Sequence, residues 1–373
     1  MPHSFAPPAH PVRPWRLLVL GELSKPVARI LSLYPPPYPW VSDHAGTIRL
    51  TATEGKTPMN GSRIVALGHY QPGRVLTNED LAALVDTNDA WITSRVGIRT
   101  RHIASDDEPV DELAAYAGAK ALATAGLTPG SVDMVIVATS TAVDRSPNTA
   151  ARVAARLGMP SPAVLDVNVV CAGFTHALAL ADATVRAGSA RQALVIGADK
   201  MSAVTDWTDR TSCVLVGDGA GAAVVEAVAP GEEPGIGPVL WGSNPAMGSA
   251  VRIEGTPARF AQEGQTVYRW ATTQLPAIAR QVCERAGLTP EDLAGVVLHQ
   301  ANLRIVEPVV RRLGAVNAVI AKDVVDSGNT SAASIPLAFS KLVERGELSS
   351  GDPVLLFGFG GNLSYGGQVV RCP

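Results

Sequence analysis

The pentapeptide Ala-Gly-Leu-Thr-Pro occurs twice in this 373-residue chain, at 125–129 and at 286–290. Each copy follows a helix-like stretch and precedes an apolar, β-branched run, so a helix, a turn and a strand recur together. At the same offset of 161 residues (286 − 125), Gly197 at the end of Val-Ile-Gly matches Gly358 at the end of Leu-Phe-Gly. A helix-stop turn could recur by chance. The second match in phase favours an internal duplication of α/β halves.

The pattern between these markers alternates strands with helices. The Pro/Gly/Glu-rich stretch at 229–237 is the predicted boundary, which gives halves at 59–232 and 233–373. Residues 218–221 (Asp-Gly-Ala-Gly) are predicted to form a turn rather than a nucleotide-binding loop. Predicted strands cover 63–68, 134–138, 193–197 and 222–225, and predicted helices cover 81–85, 111–125 and 148–157.

Residues 1–58 differ from the rest of the chain. They contain Pro-rich pieces and scattered aromatic residues without clear periodicity, and they are expected to form a loosely ordered N-terminal extension. One hypothesis is that Met59 is the true start of the protein. The alternative is that the extension is a docking segment.

Composition excludes several classes of protein. A net charge of −3 gives no indication of binding to nucleic acid or to an acidic membrane surface. The four cysteines are widely spaced without a CxxC pair, so neither a disulfide framework nor a zinc site is predicted, and a cytoplasmic location is expected. No apolar run approaches the roughly 20 residues that span a bilayer.

The stretch 164–188 contains the first candidate for chemistry. Its first part is apolar and β-branched and predicts a buried strand, and Phe174, Leu178, Ala181 and Val185 then follow at helical spacing up to Gly188. Cys171 lies between the two, near the N-terminus of the helix. That end of a helix favours a thiolate, so a nucleophile is predicted. The alternative is a small buried residue.

Two further polar residues occupy similar positions in the second half. His299 follows the predicted strand at 295–298, and Asn329 lies in the loop before the helix through Ala338 and Leu342. Singly, each is more often a structural histidine or a turn residue. Together with a cysteine, they can form a covalent acyl site. The Gly-rich stretch at 358–362, taken to end the last core strand, could supply backbone N–H groups for an oxyanion hole.

From about residue 63 to 370 the chain resembles β-ketoacyl-[acyl-carrier-protein] synthase III, a condensing enzyme of the thiolase superfamily. The resemblance lies in motifs that occur in order along the chain: TNEDL at 77–81, VDTNDAWI at 85–92, RVGIR at 95–99, DVN at 166–168, CAGF at 171–174, GDGAG at 217–221, HQAN at 299–302 and GNTSAAS at 328–334. It implies a duplicated, thiolase-like α/β fold of five layers, α-β-α-β-α. It also implies a homodimer.

The resemblance implies a role for each candidate residue. Cys171 would attack an acyl-CoA thioester, with the backbone N–H groups of Cys171 and Gly361 holding the oxyanion. His299 and Asn329 would bind the thioester carbonyl of malonyl-ACP during decarboxylation. Phe359 would lie beside Cys171 and keep the acyl site dry. No cofactor and no metal is implied, because acyl-CoA and malonyl-ACP (the malonyl thioester of the acyl carrier protein) are substrates.

Other family positions are implied to bind the substrates. Trp91 and Arg210 match positions that sandwich the adenine of CoA, and Arg95 matches one near its phosphates. The basic positions that would bind the acidic acyl carrier protein are Arg269, Arg304, Arg311 and Arg312. Ordinary surface packing and solvated arginines are the alternatives for these residues.

Two departures from the family pattern bear on the site. Asn362 stands where a third glycine is common, and asparagine accepts a positive φ less readily than glycine, so a slightly altered oxyanion loop is expected. Ser146 stands where a relative has a bulky aromatic residue that lines the partner subunit's acyl pocket. The small side chain suggests room for a longer or branched primer.

Several other functions share parts of these patterns. A papain-like cysteine peptidase also has the order Cys, His, Asn, but the cysteine lacks the CGxCW context and the duplicated α/β pattern does not suit that fold. On the same fold, a thiolase, a chalcone-synthase-like enzyme or a pathway-specific starter enzyme that moves acyl groups onto oxygen are alternatives. A silent binding subunit is disfavoured by the intact Cys171, His299 and Asn329. The acyl-CoA primer and the pathway, fatty acid or secondary metabolite, stay open.

Overall fold

The computed structural model describes residues 61–373 and, before them, the backbone of two short strands, β1 (Val41–Ser42) and β2 (Ile48–Arg49). The chain divides into two compact units, Met1–Gly55 and Lys56–Pro373. In the first unit, β1 and β2 pair antiparallel. The predictions of a loose extension and of a start at Met59 lie outside the described residues.

The second unit contains fourteen strands and ten α-helices among its described residues. The strands are β3 (Ser62–Tyr70), β4 (Arg74–Thr77), β5 (Thr100–Ile103), β6 (Met134–Ala138), β7 (Ala163–Val167), β8 (Gln192–Lys200), β9 (Asp218–Ala227), β10 (Leu240–Gly242), β11 (Val251–Glu254), β12 (Arg259–Gln262), β13 (Gly295–Leu298), β14 (Val319–Ile320), β15 (Pro353–Phe359) and β16 (Tyr365–Arg371). The helices are α1 (Asn78–Ala82), α2 (Asp89–Val96), α3 (Val110–Ala125), α4 (Thr149–Arg156), α5 (Gly173–Arg186), α6 (Arg210–Cys213), α7 (Gly264–Arg285), α8 (Leu303–Leu313), α9 (Val324–Ser327) and α10 (Ser334–Glu344).

Two five-stranded sheets repeat one topology. The strand order is β3-β9-β8-β6-β7 in the first sheet and β10-β16-β15-β13-β14 in the second. In each sheet the last three strands of the order are parallel, and the first two join by antiparallel pairing. The two AGLTP turns precede β6 and β13, which occupy the same place in the two sheets. The sheets therefore confirm the predicted duplication of the α/β pattern.

Helices fill the space between and outside the sheets, which gives five layers. Helix α3 packs on β3, β8 and β9, α5 and α10 contact strands of both sheets, and α7 packs on β15 and β16. Separate apolar clusters match these interfaces, with Leu113 outside the first sheet, Phe174 and Phe339 in the central layer, and Trp270 outside the second sheet. The predicted duplicated α/β fold of five layers is confirmed.

Most predicted elements are present with small shifts at their ends. The predicted helix at 148–157 is α4, with Asn148 as its N-cap, and α3 ends at Gly126 in the left-handed conformation. Helix α1 starts after a Thr77 capping box but ends at Ala82, earlier than predicted. Among the described residues, none of the helices is both long and apolar enough to cross a membrane.

Three sequence interpretations were wrong. The strand before Cys171 is not buried: β7 lies at the edge of its sheet, and Val164 and Leu165 are each 38% exposed. Residues 218–221 are not a turn but the first residues of β9, where a Cβ on Gly221 would lie 2.3 Å from the backbone nitrogen of Leu337. The Gly-rich stretch at 358–362 does not end the last strand. It connects β15 to β16, which pair as a hairpin.

Candidate active site

Two short turns with the same backbone meet at the centre of the molecule. We call residues 168–172 the nucleophile turn and residues 329–333 the facing turn, which lies 161 positions later (329 − 168). Each contains a single 3-10 turn, Val170–Ala172 or Ser331–Ala333, and leads directly into a central helix, α5 or α10. The two 3-10 turns pack against each other.

An asparagine opens each turn in the same way. Asn168 Oδ1 accepts a hydrogen bond from the Val170 N–H at 3.3 Å, and Asn329 Oδ1 accepts one from the Ser331 N–H at 2.9 Å. Val170 has φ 47° and Ser331 has φ 51°, values that side chains rarely adopt. The asparagine oxygen supports this unfavourable backbone, because it binds the N–H of the residue concerned.

The thiol of Cys171 is buried at the head of α5. The residue is 7% exposed, and its Sγ lies 3.7 Å from Ser331 Oγ in the facing turn. Burial raises the pKa of this thiol to about 12, although its hydrogen bond with Ser331 and the Gly361 N–H act to lower it. Burial therefore acts against the thiolate that the helix N-terminus favours.

His299 directly follows β13, as predicted, and is almost fully buried. Its Nδ1 lies 2.8 Å from Ser334 Oγ, which also accepts the Gln300 N–H at 3.2 Å. The Ser334 hydrogen is then free to bond Nδ1, an arrangement that makes Nε2 the protonated nitrogen. Burial lowers the pKa of His299 to about 3, so the ring is neutral at ordinary pH.

Asn329 presents its amide to the same cavity. Its Oδ1 is held by the Ser331 N–H, and its backbone N–H donates to Leu215 O at 2.8 Å. Because the side-chain oxygen is occupied, the Nδ2 group is the donor that Asn329 can offer to a ligand. The fixed backbone and the fixed amide oxygen together determine where that donor lies.

One small cavity brings the predicted catalytic residues together. Cys171, His299, Asn329 and Phe359 all line it, and its volume is about 30 Å³. The rest of its wall comes mainly from apolar side chains, which include Leu215, Val251, Phe260, Val267 and Ile305. The thiol, the imidazole and the amide therefore meet in a small and mostly apolar space.

Phe359 and the glycines after it close the cavity beside the thiol. The Phe359 ring is 5.2 Å from the His299 ring in an edge-on contact. A Cβ on Gly360 would lie 3.1 Å from Cys171 Sγ, and a Cβ on Gly361 would lie 2.5 Å from a Val170 methyl. Asn362 has φ 59°, so the asparagine adopts the left-handed backbone that its place in the turn requires.

Sequence reasoning missed Asp199, which lies at the end of β8 and is fully buried. Its Oδ1 accepts hydrogen bonds from the hydroxyls at 139–141 and from the Ser140 N–H, and its Oδ2 accepts the Ala332 N–H at 3.0 Å. The neighbouring Ser331 hydroxyl lowers the pKa of this carboxyl group, while burial raises it more. The duplication contained a signal, because Asp199 and Gly360 stand 161 residues apart (360 − 199), at equivalent ends of β8 and β15.

The predicted CoA and carrier-protein residues fall into two groups. The Arg210 guanidinium lies 4.8 Å from the centre of the Trp91 ring and donates to Asp86 O at 2.7 Å. Arg95, Arg269 and Arg304 line one groove of about 580 Å³, which we call the arginine groove. The structure thus groups Arg95 with two residues expected to bind the carrier protein.

The remaining predicted positions lie away from the cavity. Arg311 and Arg312 are exposed on α8, outside the lining of the arginine groove, and Arg312 donates to Thr272 O. Ser146 is exposed on the loop at 142–147 and does not line the Cys171 cavity of its own chain. In the part of the chain that the structure describes, no cluster of three or more His, Cys, Asp or Glu side chains could hold a metal ion.

Comparisons with known proteins identify relatives of this sequence. Residues 165–245 match the family model for 3-oxoacyl-[acyl-carrier-protein (ACP)] synthase III, and residues 283–372 match the model for its C-terminal part. β-Ketoacyl-[acyl-carrier-protein] synthase III 2 of Streptomyces avermitilis is 81% identical over 315 residues, which cover 84% of this chain and 100% of the relative. The synthase III of Streptomyces glaucescens is 42% identical, over 84% of this chain and 96% of the relative.

Solved structures of related enzymes are also similar to this chain. The priming β-ketosynthase from the R1128 polyketide biosynthetic pathway superimposes with a TM-score of 0.82 at 37% identity, covering 84% of this chain and 97% of that chain. The 3-oxoacyl-(acyl carrier protein) synthase III of Pseudomonas aeruginosa PAO1 gives a TM-score of 0.80 at 39% identity, over 84% of this chain and 99% of that chain.

Proposed function

The chain belongs to the β-ketoacyl-[acyl-carrier-protein] synthase III family, and we propose that Cys171, His299 and Asn329 carry out its initiating condensation. Membership makes it an acyltransferase of the condensing type, in fatty acid or polyketide synthesis. The single observation that supports these three residues is their convergence on one buried cavity from two different turns and a strand end. Cytoplasmic location stays a prediction.

The first half-reaction is the acylation of Cys171. Its Sγ attacks the thioester carbonyl of an acyl-CoA, the carbon–sulfur bond to CoA breaks, and CoA leaves. The oxyanion is held by the N–H groups of Cys171 and Gly361. The facing turn supports this role, because its equivalent N–H, that of Ala332, holds an oxygen of Asp199 at 3.0 Å.

The counterpart of Asp199 beside the nucleophile turn is Gly360, which has no side chain. The position filled by a carboxylate oxygen in the facing turn is therefore open at Cys171. An open position of this kind, next to a backbone N–H, suits the oxyanion of a reacting thioester.

The second half-reaction is a decarboxylative Claisen condensation. The Nε2–H of His299 and the Nδ2 of Asn329 donate to the thioester carbonyl of malonyl-ACP while carbon dioxide leaves. The resulting enolate attacks the acyl carbon, the bond to Cys171 breaks, and 3-oxoacyl-ACP forms. Each donor of this kind typically contributes about 3 kcal/mol to the transition state. This chemistry uses the substrates and side chains alone, without a cofactor.

The substrates reach the cavity past basic side chains. Trp91 and Arg210 would hold the adenine of CoA between them, and Arg95 would meet its phosphates. Acyl carrier protein is acidic, and Arg269 and Arg304 of the arginine groove suit it, with the exposed Arg311 and Arg312 in the last turn of α8. The support is the charge of the groove and the position of these residues.

A homodimer would complete the site. Strand β7 leaves its outer edge unpaired in a single chain and exposes Val164 and Leu165, as edge strands do when another chain pairs with them. Val143, on the same loop as Ser146, is 89% exposed. In the dimer this loop would line the partner's acyl pocket, where the small Ser146 suits a longer or branched primer. Ser146→Phe should then shift primer preference toward acetyl-CoA.

Intact-protein mass spectrometry after incubation with a panel of acyl-CoAs tests the proposal. We expect a mass gain of one acyl group on the wild-type protein and none on Cys171→Ala. His299→Ala should still acylate but lose condensation with malonyl-ACP, which separates the two half-reactions. Absence of any adduct on the wild-type protein would contradict the proposed role of Cys171.

A further inference from the structure

The acylation proposed above requires a group that takes the proton of the Cys171 thiol. Burial raises the pKa of this thiol to about 12, so little thiolate forms without a nearby base. His299 is a poor candidate, because its Nδ1 is bonded to Ser334 and burial lowers its pKa to about 3. The base must therefore come from elsewhere.

The hydroxyl of Ser331 is the polar side chain that contacts the thiol. Cys171 Sγ lies 3.7 Å from Ser331 Oγ, with the thiol as donor. Ser331 lies beside Asp199, because the N–H of the next residue, Ala332, donates to Asp199 Oδ2 at 3.0 Å, and the Ser331 hydroxyl lowers the pKa of that carboxyl group. All three residues are buried. The Oδ1 atom of Asn329 accepts a hydrogen bond from the Ser331 N–H and so holds the backbone of Ser331 in place. A thiol, a hydroxyl and a carboxyl group thus lie in one row, with a hydrogen bond from the thiol to the hydroxyl.

Asp199 is a buried carboxyl group without a cationic neighbour among the described residues. Its hydrogen bonds come from hydroxyls and backbone N–H groups at 139–141 and 331–332, and among residues 61–373 no Lys, Arg or His forms an ion pair with it. The adjacent Lys200 directs its ammonium to the carbonyls of Ser105 and Glu108. Besides Cys171 and Asp199, the titratable group that faces the row is His299, which is neutral. Burial raises the pKa of Asp199, which makes the carboxylate more basic.

We propose that Ser331 and Asp199 form a proton relay that converts the Cys171 thiol into the attacking thiolate. The thiol proton passes to Ser331 Oγ as Ser331 passes its own proton to Asp199. The product is a thiolate that accepts a hydrogen bond from Ser331, next to a neutral carboxylic acid. The site carries one negative charge before and after the transfer, so two anions never share this low-dielectric space.

The protons balance over a full turnover. The thiolate attacks the acyl-CoA carbonyl, and the departing CoA thiolate takes one proton from solvent. The relay proton stays on Asp199 while Cys171 carries the acyl group. When the enolate attacks and the bond to Cys171 breaks, the sulfur takes that proton back through Ser331, which restores the carboxylate.

The rate of Cys171 acylation as a function of pH tests the relay, which rests on the acylation proposed for this residue. Rapid-quench mass spectrometry with acetyl-CoA and isobutyryl-CoA would follow the wild type, Asp199→Asn and Ser331→Ala from pH 6 to 9. The wild-type rate should be nearly independent of pH, because the base is internal. Both variants should be about 100-fold slower at pH 7 and should then rise about tenfold per pH unit.

Asp218→Asn is a matched control. Asp218 is also fully buried, its pKa is also raised by burial, and its oxygens accept hydrogen bonds from Ser202 and from the Ala104 N–H. The Asp218→Asn variant therefore also loses a buried, hydrogen-bonded carboxyl group, but one that is not in contact with the thiol. We expect the wild-type pH profile in this variant. The same series with iodoacetamide measures thiol reactivity without any acyl-CoA.

An unchanged or faster rate in Asp199→Asn would overturn the relay, because removal of a negative charge alone lowers the thiol pKa and speeds the reaction. If Asp199→Asn does not fold, the pH profile of Ser331→Ala decides by the same criterion. Failure of every acyl-CoA to modify the wild-type protein would instead refute the proposed acylation. The iodoacetamide profiles would then still decide whether the relay exists.

Discussion

In the facing turn, the N–H of Ala332 donates to a buried carboxylate oxygen at 3.0 Å, whereas in the nucleophile turn the equivalent N–H of Cys171 has glycines beside it. The two turns otherwise match. Each starts with an asparagine whose oxygen binds the N–H two residues on, and each contains a side-chain-bearing residue with φ near 50°. The two turns therefore present equivalent N–H groups: that of Ala332 holds a carboxylate oxygen, and in the proposed mechanism that of Cys171 stays open for the oxyanion.

The two asparagines extend this comparison. Both support a turn with their side-chain oxygen, but Asn168 is exposed while Asn329 lines the cavity. The structural task is therefore common to both turns, and the proposed chemical task belongs to the Nδ2 group of Asn329. The difference shows that this turn geometry does not require its asparagine to face the cavity. Variants that affect one task and not the other can test it.

The largest effect is expected from Asn329→Asp. Aspartate keeps the oxygen that binds the Ser331 N–H but loses the Nδ2 donor, so condensation should slow by about 100- to 1000-fold while Cys171 acylation persists. Asn168→Asp is the matched control and should leave both half-reactions close to wild type. Single-turnover assays of each half-reaction would measure this. Equal losses in the two variants would show that both asparagines serve structure only.

A smaller effect is expected from Gly361→Ala. The new Cβ would lie 2.5 Å from a Val170 methyl, so the loop must shift away from the nucleophile turn. We expect a loss of about 1–3 kcal/mol in the free energy of unfolding, together with slower acylation. Gly130→Ala is the control, since a Cβ there meets no heavy atom within 4 Å. Chemical denaturation of both variants checks the prediction, and equal stabilities would contradict it.

The smallest effect is expected at the arginine groove, outside the two turns. Arg304→Ala should raise the KM for malonyl-ACP several-fold at low salt without changing acylation by acyl-CoA, because charge steers the acidic carrier protein. Arg311→Ala, on the same helix but outside the groove lining, should change it less. Steady-state assays at two salt concentrations would measure the difference. A loss of acylation in Arg304→Ala would contradict a role confined to the carrier protein.

Sequence patterns predicted the local structure well, because strands, helices and turns follow from periodicity and from residues such as Gly126 and Asn148. The duplication could be predicted from the repeated turn at 125–129 and 286–290. Edge and buried strands were not distinguished at β7, because an apolar run has the same appearance in either place. Whether a strand lies at the edge or in the middle of a sheet depends on which distant strands pair with it.

The residues of the site could be predicted from the sequence, but their chemical state could not. Motif resemblance picked out Cys171, His299 and Asn329, but the state of the thiol depends on burial by other segments. Asp199 was missed because its partners come from two distant parts of the chain, 139–141 and 331–332. Its equivalence to Gly360 becomes meaningful only when the two turns are seen to face each other.

Transfer of the nucleophile to the facing turn tests the central claim most directly. In the Cys171→Ala background, Ala332→Cys places a thiol at the equivalent position of the other turn, where Asp199 already occupies the anion-binding N–H. Intact-protein mass spectrometry with the acyl-CoA panel should then show one acyl group on the wild type and none on the double variant, with circular dichroism confirming that the variant is folded. An acyl adduct on the transferred thiol of the folded variant would contradict the account, because acylation would then not depend on the open position beside Cys171.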